Sequence, residues 1–257
     1  MSSLEIVESD LGRRFSGLDR LYGVQAASRI RSAHVVVVGI GGVGSWAAEA
    51  LARSGVGRLT LIDMDHVAES NINRQVHALQ STLGKAKVVA MRERIAQINP
   101  DCVVQGVEEF VDVDNWINLL PHDADAVIDA CDQVKAKTAI AAWGRRCDGL
   151  LIAVGAAGGK RLAHQVTIGD LSTTTHDPLL AQVRNRLRKD YAAPREGRKM
   201  GVTCVFSCEP VSPVDASCDV ASDGSLNCHG YGSVVTVTAT FGQCAAGWIM
   251  NELATRK

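Results

Sequence analysis

Between residues 35 and 133 the chain carries glycines, carboxylates, an arginine and lysines at spacings suited to holding phosphate. The run VVVVGIGGVGSW (35–46) sets Gly39, Gly41 and Gly44 in a G-x-G-x-x-G pattern, with Gly42 beside them, after an apolar stretch and before a helical one. In that context the first glycine allows a tight turn and the second lets a phosphate approach the backbone, while the helix N-terminus supplies oriented N–H donors. Asp63 closes the next strand-like run, nineteen residues after Gly44, where a carboxylate accepts hydrogen bonds from a ribose. These residues alone point to NAD, and an NAD-dependent oxidoreductase is one reading of them.

The residues that follow change the balance. LIDMDHVAESNINRQ runs on past Asp63 and Asp65 to Asn71, Asn73, Arg74 and Gln75, for which a dinucleotide dehydrogenase has no general need. A triphosphate does: charge builds on its α-phosphate and on leaving pyrophosphate, and an arginine with amide donors stabilises that charge. GKAK then opens a helix with Lys85 and Lys87, and IDACDQ sets Asp132 just past the fourth strand-like run, where a carboxylate could hold Mg²⁺ against phosphate oxygens. Singly, each has an ordinary role as a solvated cation or a helix cap. In order, at the ends of successive strands, they make a set.

The elements that must position this set are legible as apolar runs at 34–39, 58–63, 102–107, 126–130 and 150–155, separated by helical patterning. Such runs suit strands buried on both faces, so we expect an α/β, Rossmann-like fold: a mainly parallel sheet with helices on both faces, its ligand at the strands' carboxyl ends. After Gly158 the alternation fades into a candidate helix (177–191), a strand within RKMGVTCVFSCEPV and a loop-like stretch (209–230). We expect one domain over 1–257, with a nucleotide-binding core at about 30–155 and a variable substrate-binding, C-terminal extension at about 156–257.

A net charge of −1 argues against a wholesale polyanion binder, but charge placement matters more than its sum. Arg184, Arg186, Arg188, Lys189, Arg195, Arg198 and Lys199 face only Asp190 and Glu196 in one short segment. A solvated helix face is the ordinary explanation; beside a nucleotide site, an RNA-backbone contact by Arg184, Arg186, Arg188, Lys189, Arg198 and Lys199 becomes plausible. The N-terminus MSSLEIVESD reads as no targeting signal, so the expected location is cytoplasmic. The stretch 230–250 is long enough to raise a membrane span, yet its Gly and Thr content and Gln243 make it a buried helix, and no membrane partner is expected. Eight cysteines include no C-x-x-C pair, so we expect reduced thiols and no zinc site.

GIGGVGS, LIDMDHVAESNINRQ, GKAK and DACDQ together resemble the adenylating enzymes of the ubiquitin-activating (E1-like) superfamily, which includes the activators of molybdopterin and thiamine sulfur carriers; the match covers about Arg14 to Gly155. The resemblance implies ATP and Mg²⁺ held by Gly39, Gly41, Gly42, Gly44, Asp63, Asp65, Asn71, Arg74, Lys87 and Asp132. It sets Asp63 on the ribose, Arg74 and Lys87 on phosphates and Asp132 on the metal, the last three carrying the catalysis. Two departures stand out: Gln133 where many relatives have Asn, and Gly17 where the usual R-Y-x-R pattern has its second arginine, leaving Arg13, Arg14 and Arg20 as the arginines available there.

With RFSGLDRLYG, HDPLLAQVRNRLRKDY and GRKMGVTCVFSCEPV included, nearly the whole chain is similar to the tRNA threonylcarbamoyladenosine dehydratase branch. That resemblance implies ATP-dependent cyclisation of threonylcarbamoyladenosine 3′ of the tRNA anticodon. It also implies tRNA as partner, a homodimer, and a link to a cysteine-desulfurase sulfur-relay protein. The alternative inside the superfamily is adenylation of a ubiquitin-like or sulfur-carrier protein C-terminus. It calls for a zinc module and an acceptor thiol, for which Cys208 and Cys228 are the candidates.

Overall fold

The computed structural model describes residues 10–147, 149–195, 197–215, 217 and 231–256. Cys228 and most of the expected loop at 209–230 lie outside the described residues. Two helices, α1 (Leu11–Tyr22) and α2 (Val24–Ser32), lead in, α1 being capped by Asp10, whose carboxylate accepts from the Arg13 amide. The five apolar runs become β1 (His34–Val38), β2 (Arg58–Ile62), β3 (Val103–Val107), β4 (Ala126–Asp129) and β5 (Leu150–Val154). They pair in parallel, as two-face burial requires, and β1 and β4 are buried at every position.

Between them run α3 (Gly44–Arg53), α4 (Lys87–Ile98), the short α5 (Trp116–Leu119) and α6 (Val134–Gly144). The later chain extends this same sheet. β6 (Val166–Asp170), α7 (Pro178–Asp190) and β7 (Thr203–Ser207) follow, and the strand order is β3-β2-β1-β4-β5-β7-β6. β7 joins β5 in parallel, while β6 pairs with β7 antiparallel at the edge. The sequence reading has no counterpart to β6; partly exposed and carrying Gly169, it lacks the continuous apolar run of a central strand.

The last helix, α8 (Val235–Thr255), takes most of the 230–250 stretch. It packs along α3, where a side-chain carbon at Gly242 would stand 2.5 Å from the Val43 carbonyl, so the two helices meet at backbone distance. Its inner residues, Val237, Phe241, Ala245 and Ile249, join the main core with Val35, Leu51 and Ile152. No helix among the described residues is long and apolar enough to cross a membrane.

Candidate active site

The carboxyl ends of β1, β2, β4 and β5 open onto a cavity of about 350 Å³. Its floor is the glycine turn. Gly39 adopts φ +83°, and a carbon added at Gly44 would lie 1.8 Å from the Gly39 carbonyl oxygen, so the turn closes onto α3 only with glycine there. Gly39, Gly41 and Gly42 line the cavity; Gly44 lies behind them in the turn.

Asp63, at the end of β2, accepts hydrogen bonds from the Ile40 amide (2.6 Å) and the Asp65 amide (2.8 Å). Burial raises its pKa above the ordinary value, opposed by the charge of Lys87, 4.0 Å away. Lys87, at the N-terminal end of α4, is buried and ion-pairs with Asp65 at 2.7 Å. Lys85 instead pairs with Glu93 on the surface.

Arg74 is 8 % exposed and lines the cavity over Gly42. Its guanidinium donates to the Ser70 carbonyl (2.7 Å) and to Asn73 Oδ1 (3.0 Å). Its carbonyl accepts from Trp46 Nε1 (2.9 Å) on α3 and from Thr238 Oγ1 (3.4 Å) on α8. Both helices therefore hold the arginine's backbone. Asn71, grouped with the nucleotide ligands by resemblance, stands one layer back: its Oδ1 accepts the Ala68 amide (3.0 Å) and shapes the turn that carries Arg74.

Beyond β4, Asp132 is exposed at the cavity's edge and makes no hydrogen bond or ion pair among the described residues. The fully buried Lys137 donates to Asp129 Oδ1 and to the Asp129 carbonyl, both at 2.9 Å. Burial alone would lower the Lys137 pKa, but the charge and hydrogen bond of Asp129, with the neighbouring thiols Cys131 and Cys204, together outweigh it and raise it. Cys131 also lines the cavity and donates to Asp129 Oδ1 at 3.0 Å. Burial, then the Asp129 charge, pushes its thiol well above the ordinary value, which keeps it protonated and a poor nucleophile.

The far wall comes from segments that the sequence reading did not assign to the site: Gly155–Ala157 after β5, Leu179 on α7, Thr238 on α8 and Phe110 after β3. Asp177 ties two of them together. It caps α7 through the Leu180 amide and accepts the Ala156 amide, each at 2.9 Å, and burial raises its pKa. An Asp-Pro pair opening a helix is a local signal of α7, but nothing local reports its contact with β5.

The cationic segment lies elsewhere. Arg184 turns inward, donating to the Thr174 carbonyl and Oγ1 (both 2.9 Å) and to the Leu171 carbonyl (3.2 Å). Arg188 reaches the Pro194 carbonyl at 3.3 Å, while Arg186, Lys189, Arg195, Arg198 and Lys199 are exposed. Among the described residues no three His, Cys, Asp or Glu side chains are grouped to hold a metal ion. The cysteines described are all unpaired, Cys208 among them.

The ThiF family model matches residues 16–256. The Haemophilus influenzae tRNA threonylcarbamoyladenosine dehydratase is 43 % identical over 95 % of this chain and 95 % of its own. The Escherichia coli enzyme of the same name is 44 % identical over 97 % of each. Crystal structures of the Escherichia coli enzyme in complex with ATP and with AMP superpose with a TM-score of 0.86, each covering 96 % of this chain and 97 % of that one.

Proposed function

The chain belongs to the ThiF family, within its tRNA threonylcarbamoyladenosine dehydratase branch, and on that premise we propose that it uses ATP to dehydrate threonylcarbamoyladenosine 3′ of the tRNA anticodon into its cyclic form. One observation carries the reading: Arg74, Lys87 and Asp132 converge on the glycine turn in a single cavity, beside the Asp63 carboxylate. A triphosphate uses all of these groups; a nicotinamide dinucleotide requires only the turn and the acid. That the Escherichia coli relative is solved in complex with ATP and with AMP supports it.

The threonyl carboxylate attacks the α-phosphorus of ATP, forming an acyl-adenylate and releasing pyrophosphate. A carbamoyl atom of the same side chain then attacks the acyl carbon and AMP departs. One proton is released as the ring closes, and the nucleoside has lost one water. Intramolecular attack brings a high effective concentration, so the protein's task is to orient, neutralise and exclude solvent. Arg74 and Lys87 neutralise the phosphates, Lys87 exchanging its Asp65 contact for them, and Asp63 and the turn hold the ribose and phosphate backbone.

Asp132 fits a Mg²⁺ ligand, as an exposed carboxylate at the cavity's edge with no competing partner among the described residues; a bound Mg²⁺ would neutralise phosphate charge. No protein thiol is needed in this sequence of steps, in keeping with a protonated Cys131. The same reading takes residues 1–257 as one adenylating domain acting as a cytoplasmic homodimer, with a cysteine-desulfurase sulfur-relay protein as a further partner.

The test is incubation with ATP, Mg²⁺ and tRNA carrying threonylcarbamoyladenosine, followed by nucleoside mass spectrometry and AMP detection. A nucleoside lighter by one water, formed only with ATP and alongside AMP, is the expected result. Pyrophosphate release triggered by a carrier protein, with the nucleoside unchanged, would overturn it.

A further inference from the structure

We propose that the cationic end of α7 holds a stretch of tRNA backbone remote from the modified nucleotide, so that the RNA is gripped at two places; this rests on the proposed tRNA activity. α7 starts at the cavity, where Leu179 lines it and Asp177 binds the Ala156 amide. Thirteen residues at 1.5 Å each carry the helix roughly 20 Å away. It ends at Tyr191, where Arg145, between α6 and β5, donates to the Met200 carbonyl (2.9 Å) and the Tyr191 carbonyl (3.4 Å). β5 and β7 begin there, so the patch lies at the end of the sheet opposite the nucleotide cavity.

The exposed positions of α7 are Gln182, Asn185, Arg186, Lys189 and, at its last residue, Asp190, the one carboxylate among them. At its foot a groove of about 520 Å³ is lined by Asn185, Arg188, Lys189 and Arg195. The surrounding loop is fixed by its own hydrogen bonds. Asp170 accepts the Met200 and Gly201 amides, each at 2.8 Å, and Arg188 reaches the Pro194 carbonyl. Arg146 stands 5.8 Å above the Tyr191 ring. Arg186, Lys189, Arg195, Arg198 and Lys199 form no ion pair among the described residues, so like charges gather on a shaped surface beside Asp190. A polyanion relieves that repulsion and releases its own counterions, and a duplex stem, recognised by shape and phosphates, suits the patch better than the unstacked bases around the reacting nucleotide.

The experiment compares full-length tRNA with the isolated anticodon stem-loop, both carrying threonylcarbamoyladenosine, for the wild type and for Arg186→Glu/Lys189→Glu/Arg198→Glu. The corresponding Gln triple guards against a folding defect. The wild type should prefer full-length tRNA by about tenfold or more. The Glu triple should abolish that preference, the Gln triple should reduce it, and the salt slope for full-length tRNA should become shallower by about 2. Equal wild-type affinity for the two RNAs, or proportional loss of both in the variants, would overturn the two-place grip. Failure of the proposed activity is separable, because the wild type would then dehydrate neither RNA.

Discussion

The two ends of the sheet carry their charge in opposite ways. At the carboxyl ends the charged groups are largely buried and already engaged: Lys87 on Asp65, Lys137 on Asp129, Arg74 on Ser70 and Asn73. At the amino ends of β5 and β7, Arg186, Lys189, Arg195, Arg198 and Lys199 stand in water without ion-pair partners among the described residues. Buried, hydrogen-bonded charge is costly to place but is oriented before a ligand arrives, which stabilises a particular arrangement of developing charge. Exposed cations attract any polyanion and lose that attraction as salt rises. On the proposed reading, one end serves chemistry and the other capture.

The largest expected loss comes at the residues proposed to hold the nucleotide. Arg74→Ala and Asp132→Ala should each lower turnover by about a thousandfold, the scale of losing a preorganised electrostatic contact, while tRNA affinity changes by less than about twofold. Single-turnover kinetics and filter binding check both. Next is the buried pair at the end of β4. Lys137→Met leaves Asp129 as an uncompensated buried charge and should cost about 3–5 kcal/mol of stability, seen in urea unfolding. Lys137→Met with Asp129→Leu should recover much of that loss, because the desolvated charge is gone with its partner.

His77 sharpens the same point through pH. Burial, with the charges of Lys87 and Arg94, pushes its pKa down from the usual 6.5 to about 4. Between those values the unfolded chain binds a proton that the folded chain refuses, so stability falls as pH drops from 6.5 towards 4 and is unaffected by this residue above 6.5. The contribution amounts to roughly 3 kcal/mol at most, and His77→Gln should flatten that part of the acid limb in unfolding measurements. The smallest effect is expected at the other end. Lys189→Ala should leave stability within about 0.5 kcal/mol of the wild type, since it breaks no buried contact.

The contrast also explains what the sequence could disclose. Gly39, Asp63, Lys87 and Asp132 are recognisable because each lies near a strand end or helix start, where short spacing reports position, whereas Arg74, in a turn far from either, shows only through the run of polar residues around it. The five parallel strands were recognisable because burial on both faces leaves unbroken apolar runs. β6, an edge strand with partly exposed residues, carries no such run. Thr238 and Leu179 reach the cavity only through the packing of α8 on α3 and of α7 on α6, contacts that leave no local trace. Arg184 shows the same limit: its spacing sets it beside Arg188 on the helix, but the fold turns its guanidinium onto Thr174 and Leu171.

On this mechanism the threonyl carboxylate leaves one of its oxygens on AMP. tRNA carrying threonylcarbamoyladenosine labelled with ¹⁸O in that carboxylate, converted with ATP and analysed by mass spectrometry of the released nucleotide, tests it directly. One ¹⁸O in AMP, with unlabelled pyrophosphate, is the predicted result. Label in inorganic phosphate, with ADP as the product, would contradict adenylation and with it the roles assigned to Arg74, Lys87 and Asp132.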